Sequence, residues 1–277
     1  MSYQSIEVRN LTPTIGAEIF GVELGGEISN LQFQEIHDAL LKHLVIFFRD
    51  QNMTPEQHKD FGRRFGRLHI HPASNNVLEG HPEILIIKAD ANSKRVAGEV
   101  WHSDVSCDPE PPMGSILYMH KPAENGGGDT MFANMYTAYE KLSEPMKAFL
   151  TGLTAVHDGE HVYRGRYGWG DAGKSFPRSE HPVVRTHPET GRKALFVNRG
   201  FTTHIPQLNR NESDALLDML YDHAETPEFQ CRFKWGKNSV AFWDNRAVMH
   251  HAMWDYFPLS RYAHRVTISG DKPFYQA

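Results

Sequence analysis

The chain has 277 residues, of which 40% are hydrophobic, enough to bury a sizeable core. Its formal charge of −5 comes from interspersed acidic and basic residues, which excludes a basic stripe for nucleic acid and a lysine cluster for an anionic membrane surface. Two cysteines, Cys107 and Cys231, exclude a disulfide framework and a four-thiolate zinc site, and fit a reducing cytoplasm.

The stretch Met1-Ser2-Tyr3-Gln4-Ser5-Ile6-Glu7 lacks the basic start and apolar centre of a signal peptide, and no apolar run approaches membrane-spanning length. These features predict an intracellular protein made of one domain over residues 1–277. After Ser29 and Asn30, apolar Phe33, Ile36, Leu40 and Leu41 recur at helical spacing and predict a helix. The run 44–48 that follows reads as a buried strand. Thr54-Pro55-Glu56-Gln57 has the form of a capping box with proline in the first turn, opening a helix expected to end near Gly66. Ile84-Leu85-Ile86-Ile87 has strand length.

Residues 133–151 read as helical, with Tyr136, Tyr139, Leu142, Met146, Phe149 and Leu150 as the buried stripe and Pro145 as a kink or division. From about 159 to 180 the composition turns to Gly, Arg, Tyr, Ser and Pro, which predicts a long surface loop. Tyr163, Arg164, Arg166, Tyr167 and Trp169 would suit a lid over an anionic substrate; a plain insertion is the alternative. Order returns with a strand over 194–198, a helix over roughly 212–223, and strands around 229–235, 239–243 and 261–269. This succession predicts a mainly β protein with flanking helices (α+β), a sandwich or barrel and not alternating βαβ units.

Seventeen histidines are present, so spacing must select among them. In Trp101-His102-Ser103-Asp104 an imidazole and a carboxylate lie two positions apart, on one face of an extended segment. Alone, His-x-Asp is a weak signal. His250, at the end of Trp243-Asp244-Asn245-Arg246-Ala247-Val248-Met249-His250, supplies the second imidazole of a two-histidine, one-carboxylate set. Mononuclear non-haem iron sites use that set because it leaves coordination positions open for a chelating co-substrate and dioxygen. In a strand over 261–268, Arg261, Ala263, Arg265 and Thr267 share one face, turned inward to a polar cavity or outward to solvent. Guanidinium groups placed there suit carboxylate recognition.

With these residues in view, the chain resembles the taurine dioxygenase branch of the Fe(II)- and 2-oxoglutarate-dependent dioxygenases, which includes alkylsulfatases and phenoxyalkanoate dioxygenases. The resemblance runs from Gly16-Ala17-Glu18-Ile19 to Gly270-Asp271-Lys272-Pro273-Phe274. It is most specific in Leu68-His69-Ile70-His71-Pro72, Trp101-His102-Ser103-Asp104, Gly127-Gly128-Asp129-Thr130, His181-Pro182-Val183-Val184-Arg185-Thr186-His187-Pro188 and Trp243-Asp244-Asn245-Arg246. It implies a double-stranded β-helix (jelly roll, cupin-like) core, with His102, Asp104 and His250 holding Fe(II). It further implies Arg261 and Thr130 on the distal carboxylate of 2-oxoglutarate, with O2 as the oxidant and succinate and CO2 as products. His71, Arg265 and the backbone amide of Val105 would receive the anionic head of a small organic substrate. His251 matches no family role.

Taurine dioxygenases carry Tyr and Asn beside the taurine amine where this chain has Ser74 and Gly98, so a tail other than aminoethyl is expected, with more room for it. The head would be a sulfonate, sulfate ester or carboxylate. Within catalysis the alternative is a dioxygenase of an amino-acid-derived carboxylate. A non-catalytic metal-binding β-barrel would have no use for Thr130, Arg261 and Arg265, and a zinc hydrolase leaves both arginines unexplained. The family resemblance also implies a homo-oligomer, dimer or tetramer, with Trp254 and Tyr256 as exposed aromatics available for an interface.

Overall fold

Ser29 accepts the Gln32 N–H and the Gln32 side chain returns a bond to the Ser29 N–H, a reciprocal cap that starts the helix Asn30–His43. Thr54 and Gln57 repeat the device, with Pro55 in the first turn, for the helix Pro55–Arg63. In the computed structural model, which describes residues 3–71, 76–164 and 175–277, that second helix stops before the expected Gly66. The chain leaves it through tighter turns, Phe65 N–H to Gly62 O and Gly66 N–H to Arg63 O.

Both helices cover the outer face of a large mixed sheet. Its strand order is Glu7–Asn10, Ala17–Phe20, Val45–Phe48, Val240–Asp244, Gly114–Lys121, Arg261–Ile268, His81–Ala89 and Val77–Leu78, with Leu68–His69 also pairing to Arg261–Ile268. Alternation divides Val45–Phe48 between two cores. Ile46 and Phe48 pack outward with Ile36, Leu40 and Phe61 of the helices. Phe47 packs inward, stacked on Phe233 at 3.9 Å and edge-on to Phe132 at 5.6 Å.

Phe233 and Phe132 belong to a second sheet, ordered Gln230–Phe233, Thr130–Asn134, Val248–Ala252. The two sheets close over one inner core that includes Leu117, Met119, Phe132, Ala133, Ala241, Trp243, Met249 and Ala263. This is the double-stranded β-helix, mainly strand with flanking helices.

Several elements differ from the sequence expectation. Residues 133–151 form two helices, Met135–Glu140 and Glu144–Leu150, divided where Ser143 caps the second and Pro145 occupies its first turn. Phe149 leaves the proposed stripe, 51% exposed, because the second helix presents Leu150 as its buried residue. Within the described part of 159–180, Glu160–Tyr163 is a short helix and Arg178–Pro182 a strand antiparallel to Thr154–Asp158. Its cross-strand partners explain that strand, which its polar composition hid. Arg166, Tyr167 and Trp169 lie outside the described residues. No described helix is long and apolar enough to cross a membrane.

Candidate active site

His250 sits in Val248–Ala252, in register with Phe132, and the strand's alternation turns its ring into the space between the sheets. His102 joins this strand end through two backbone bonds, His102 N–H to His250 O at 3.0 Å and His250 N–H to His102 O at 2.8 Å. The chain then turns at 104–107, so Asp104 opens a turn and does not continue a strand. Asn245 ties that turn down, accepting the Asp104 N–H at 3.3 Å and the Trp243 indole N–H at 2.9 Å through one oxygen. The Trp-Asp-Asn-Arg sequence thereby finds its local purpose. Asp244, the next residue, is buried in a network with Arg246 and His187.

His102, Asp104 and His250 are brought together: one donor atom from each lies within 4.8 Å of the others. Asp104 Oδ1 is 3.6 Å from His102 Nε2 and 3.8 Å from His250 Nε2. His102 Nδ1 bonds the Val100 carbonyl at 2.7 Å, which places the proton on Nδ1 and leaves the Nε2 lone pair toward the other two. Burial holds His250 neutral, well below the ordinary imidazole value, with the His102 ring next in effect. Burial alone would raise the Asp104 carboxyl, but Arg265 and then the two imidazoles hold it far below the usual carboxylate range. A carboxylate and two imidazole nitrogens brought within reach of one point are a donor set that fits Fe(II).

Both arginines of Arg261–Ile268 face inward; Arg261 is 5% and Arg265 9% exposed. The solvated alternative is overturned, because the 104–107 turn and the second sheet cover that face: Arg265 bonds Asp104, and Arg261 lies against Trp235 and Gly128. Arg261 Nε and Nη2 are buried without hydrogen-bond partners among the described residues. Thr130 lines the same cavity, its Oγ1 accepting the Trp235 indole N–H at 3.0 Å. Burial lowers the Arg261 guanidinium, and the Tyr256 hydroxyl opposes that fall. A buried, unsatisfied guanidinium edge beside a hydroxyl fits the carboxylate of 2-oxoglutarate.

Arg265 donates to Asp104 Oδ1 at 2.5 Å, while Ser115 donates to Asp104 Oδ2 at 2.7 Å. Arg265 Nε remains buried without a hydrogen-bond partner among the described residues. His71 stands at the same cavity, edge-on to Tyr163 at 5.6 Å, its imidazole pushed down to about 3 by burial and then by Arg265. Val105 holds φ 48°, a left-handed conformation that costs a β-branched residue about 1–3 kcal/mol.

Gly98 also lines the cavity, but not as spare room: φ is +86° and an added Cβ would lie 3.1 Å from His102 Cε1. Ser74 lies outside the described residues. His251, on the opposite face from His250, packs against Trp101 at 5.6 Å. Tyr256, expected at the surface, is 2% exposed, held inside by Arg261 and by Gly128, whose missing Cβ lets the ring approach. Neither Trp235 nor Ser115 is marked by the sequence, because nothing in their spacing links them to Thr130 and Asp104, and the role of Asn245 inside its motif shows only in the fold.

The cavity measures about 620 Å³ and joins the triad, both arginines, His71 and Val105. Fold and site together define a metal-dependent, oxygen-using enzyme of the double-stranded β-helix class. The family described as taurine catabolism dioxygenase TauD, TfdA family matches residues 7–267. An alpha-ketoglutarate-dependent sulfonate dioxygenase of Saccharomyces cerevisiae is 35% identical over 282 residues, covering 97% of this chain and 68% of that protein. An alkylsulfatase of Acinetobacter baylyi is 35% identical over 280 residues, covering 97% and 86%. The crystal structure of a taurine dioxygenase from Burkholderia xenovorans has a TM-score of 0.85 at 40% identity, covering 98% of this chain and 91% of that one. The chain belongs to the TauD/TfdA family and is an Fe(II)- and 2-oxoglutarate-dependent dioxygenase.

Proposed function

We propose that the enzyme hydroxylates a carbon atom of a small organic anion whose head is a sulfonate, sulfate ester or carboxylate and whose tail is apolar and larger than aminoethyl. The observation that carries this reading is the single cavity in which Arg265, His71 and Val105 stand beside the His102, Asp104 and His250 cluster. Names borne by relatives, sulfonate dioxygenase and alkylsulfatase, agree with such a head group. Leu85, Ile87, Val96, Ala97 and Val162 supply apolar wall for the tail.

His102, Asp104 and His250 would hold Fe(II), and Arg261 with Thr130 would hold the distal carboxylate of 2-oxoglutarate. Bound together with O2, these groups supply the oxidation, one oxygen atom going to succinate, with CO2 released, and the other replacing C–H by C–OH. The chain's part is to bind and orient. Arg265 Nε and the Val105 amide would donate to the anionic head, and neutral His71 would add one N–H. Tyr163 walls the cavity beside His71 and limits water. Where the hydroxylated carbon bears a sulfonate or sulfate ester, the product collapses to a carbonyl compound with release of sulfite or sulfate.

Cys107 and Cys231 are buried free thiols, consistent with a reducing cytoplasm, and we extend the reading to a single catalytic domain over 1–277 that assembles as a homo-oligomer. The test is an anaerobic titration with Fe(II) and 2-oxoglutarate followed by oxygen uptake and succinate detection with taurine, alkyl sulfonates, alkyl sulfates and phenoxyalkanoates. The weak visible charge-transfer band, with succinate coupled to an alkyl or aryl anion and poorly to taurine, is expected. Tight coupling to taurine alone would overturn the tail assignment.

A further inference from the structure

A threonine hydroxyl carries one proton and two lone pairs, so its neighbours decide whether it donates or accepts. Trp235, 6% exposed and just past the strand Gln230–Phe233, donates its indole N–H to Thr130 Oγ1 at 3.0 Å. An indole N–H can only donate. It therefore fills one Thr130 lone pair and can never receive the Thr130 proton, which is left to point elsewhere. The same indole ring lies 5.7 Å from the guanidinium carbon of Arg261, on whose edge Nε and Nη2 are buried without hydrogen-bond partners among the described residues. One side chain thus touches both groups that face the cavity at this end.

We propose that Trp235 is a positioning residue for 2-oxoglutarate: it commits the Thr130 hydroxyl to donate toward the co-substrate carboxylate and braces the Arg261 guanidinium beside it. An ionised carboxylate accepts only, so a hydroxyl presenting its proton attracts it and one presenting lone pairs repels it. The inference rests on the assignment of Thr130 and Arg261 to that carboxylate. Trp235 acts through Thr130 and Arg261, so its effect is expected on the co-substrate.

The test is calorimetric titration of 2-oxoglutarate into Mn(II)-loaded protein without oxygen, for wild type, Trp235→Phe, Thr130→Val and the double variant. Phenylalanine keeps a ring under Arg261 and removes the donor. Trp235→Phe is expected to weaken 2-oxoglutarate about five- to tenfold, the value of one hydrogen bond. In the Thr130→Val background the same change is expected to weaken it less than about twofold, because the hydroxyl it acts through is gone. Equal losses in both backgrounds, or no loss in wild type, would overturn the proposal by reducing Trp235 to packing. An unchanged affinity in Thr130→Val alone would instead overturn the carboxylate assignment on which it rests. If Trp235→Phe unfolds the protein, 3-benzothienylalanine at position 235 replaces the N–H by sulfur within a bicyclic ring of nearly the same shape and supports the same comparison.

Discussion

Arg261 and Arg265 sit four residues apart on one strand face, yet their surroundings assign them different work. Arg261→Ala removes a buried guanidinium whose Nε and Nη2 have no hydrogen-bond partner among the described residues. We expect the KM for 2-oxoglutarate to rise about 10- to 100-fold, the range for lost charge-assisted bonds, with the prime-substrate KM little changed in steady-state assays. Arg265→Ala should raise the prime-substrate KM by a similar factor. Because Arg265 also bonds Asp104, that variant should in addition alter Fe(II) affinity, which Arg261→Ala should not. Equal loss of 2-oxoglutarate affinity in both variants would contradict the division. Removing His102, Asp104 or His250 as alanine is expected to abolish succinate formation and the charge-transfer band together.

At the scale of elements, the approach 94–100 matters through Gly98. Alanine there would be strained at φ +86° and would press on His102 Cε1 at 3.1 Å. Gly98→Ala is expected to lower stability by about 1–2 kcal/mol and to weaken Fe(II) binding, measured by denaturation and metal titration, without first narrowing the tail site. What the sequence disclosed and what it hid follow from the elements too. The metal ligands and both arginines were legible because their residue types and spacing matched a chemistry. That both faces of Arg261–Ile268 are buried was not, since alternation yields two faces and only the helix over Val266 and the turn and sheet over Arg261 and Arg265 decide. Gly114–Lys121, Thr130–Asn134 and Val248–Ala252 give little strand signal because they are mostly buried on both faces and lack the alternation that marks a half-exposed strand. The starts of helices Asn30–His43 and Pro55–Arg63 are legible because Ser29 and Thr54 state them locally.

For the whole molecule, the interior holds imidazoles that resist protonation. Burial pushes His58 and His157 from 6.5 down to about 3, with smaller effects from neighbouring groups. Below pH 6.5 the unfolded chain therefore binds protons that the native state refuses, and stability falls as pH falls through this window. Each of the two should add a slope of about 1.4 kcal/mol per pH unit between pH 6 and 4. The lowered carboxyl groups Asp104 and Asp244 act at lower pH, below their ordinary value of 3.8. Denaturant midpoints at pH 7.5, 5.5 and 4.5 measure the slope, and His58→Gln, which can still donate to the Ile116 carbonyl, should flatten it by one such increment.

His102 and His250 are bound to each other by their own peptide groups, so the spacing of the backbone that carries their rings is set before any ion arrives. Such a site behaves as a rigid socket and not as a clasp that closes on its metal. Chelator should then leave the circular dichroism spectrum intact and lower the unfolding free energy only by the mass-action contribution of the lost ion, about 2.7 kcal/mol at a hundredfold excess over Kd. The same rigidity gives the apoprotein little means of refusing a wrong divalent ion of similar size. Manganese or cobalt supplied first should occupy the socket and leave an inert, fully folded protein, so in the cell the choice of metal would rest on supply and not on the protein's own discrimination.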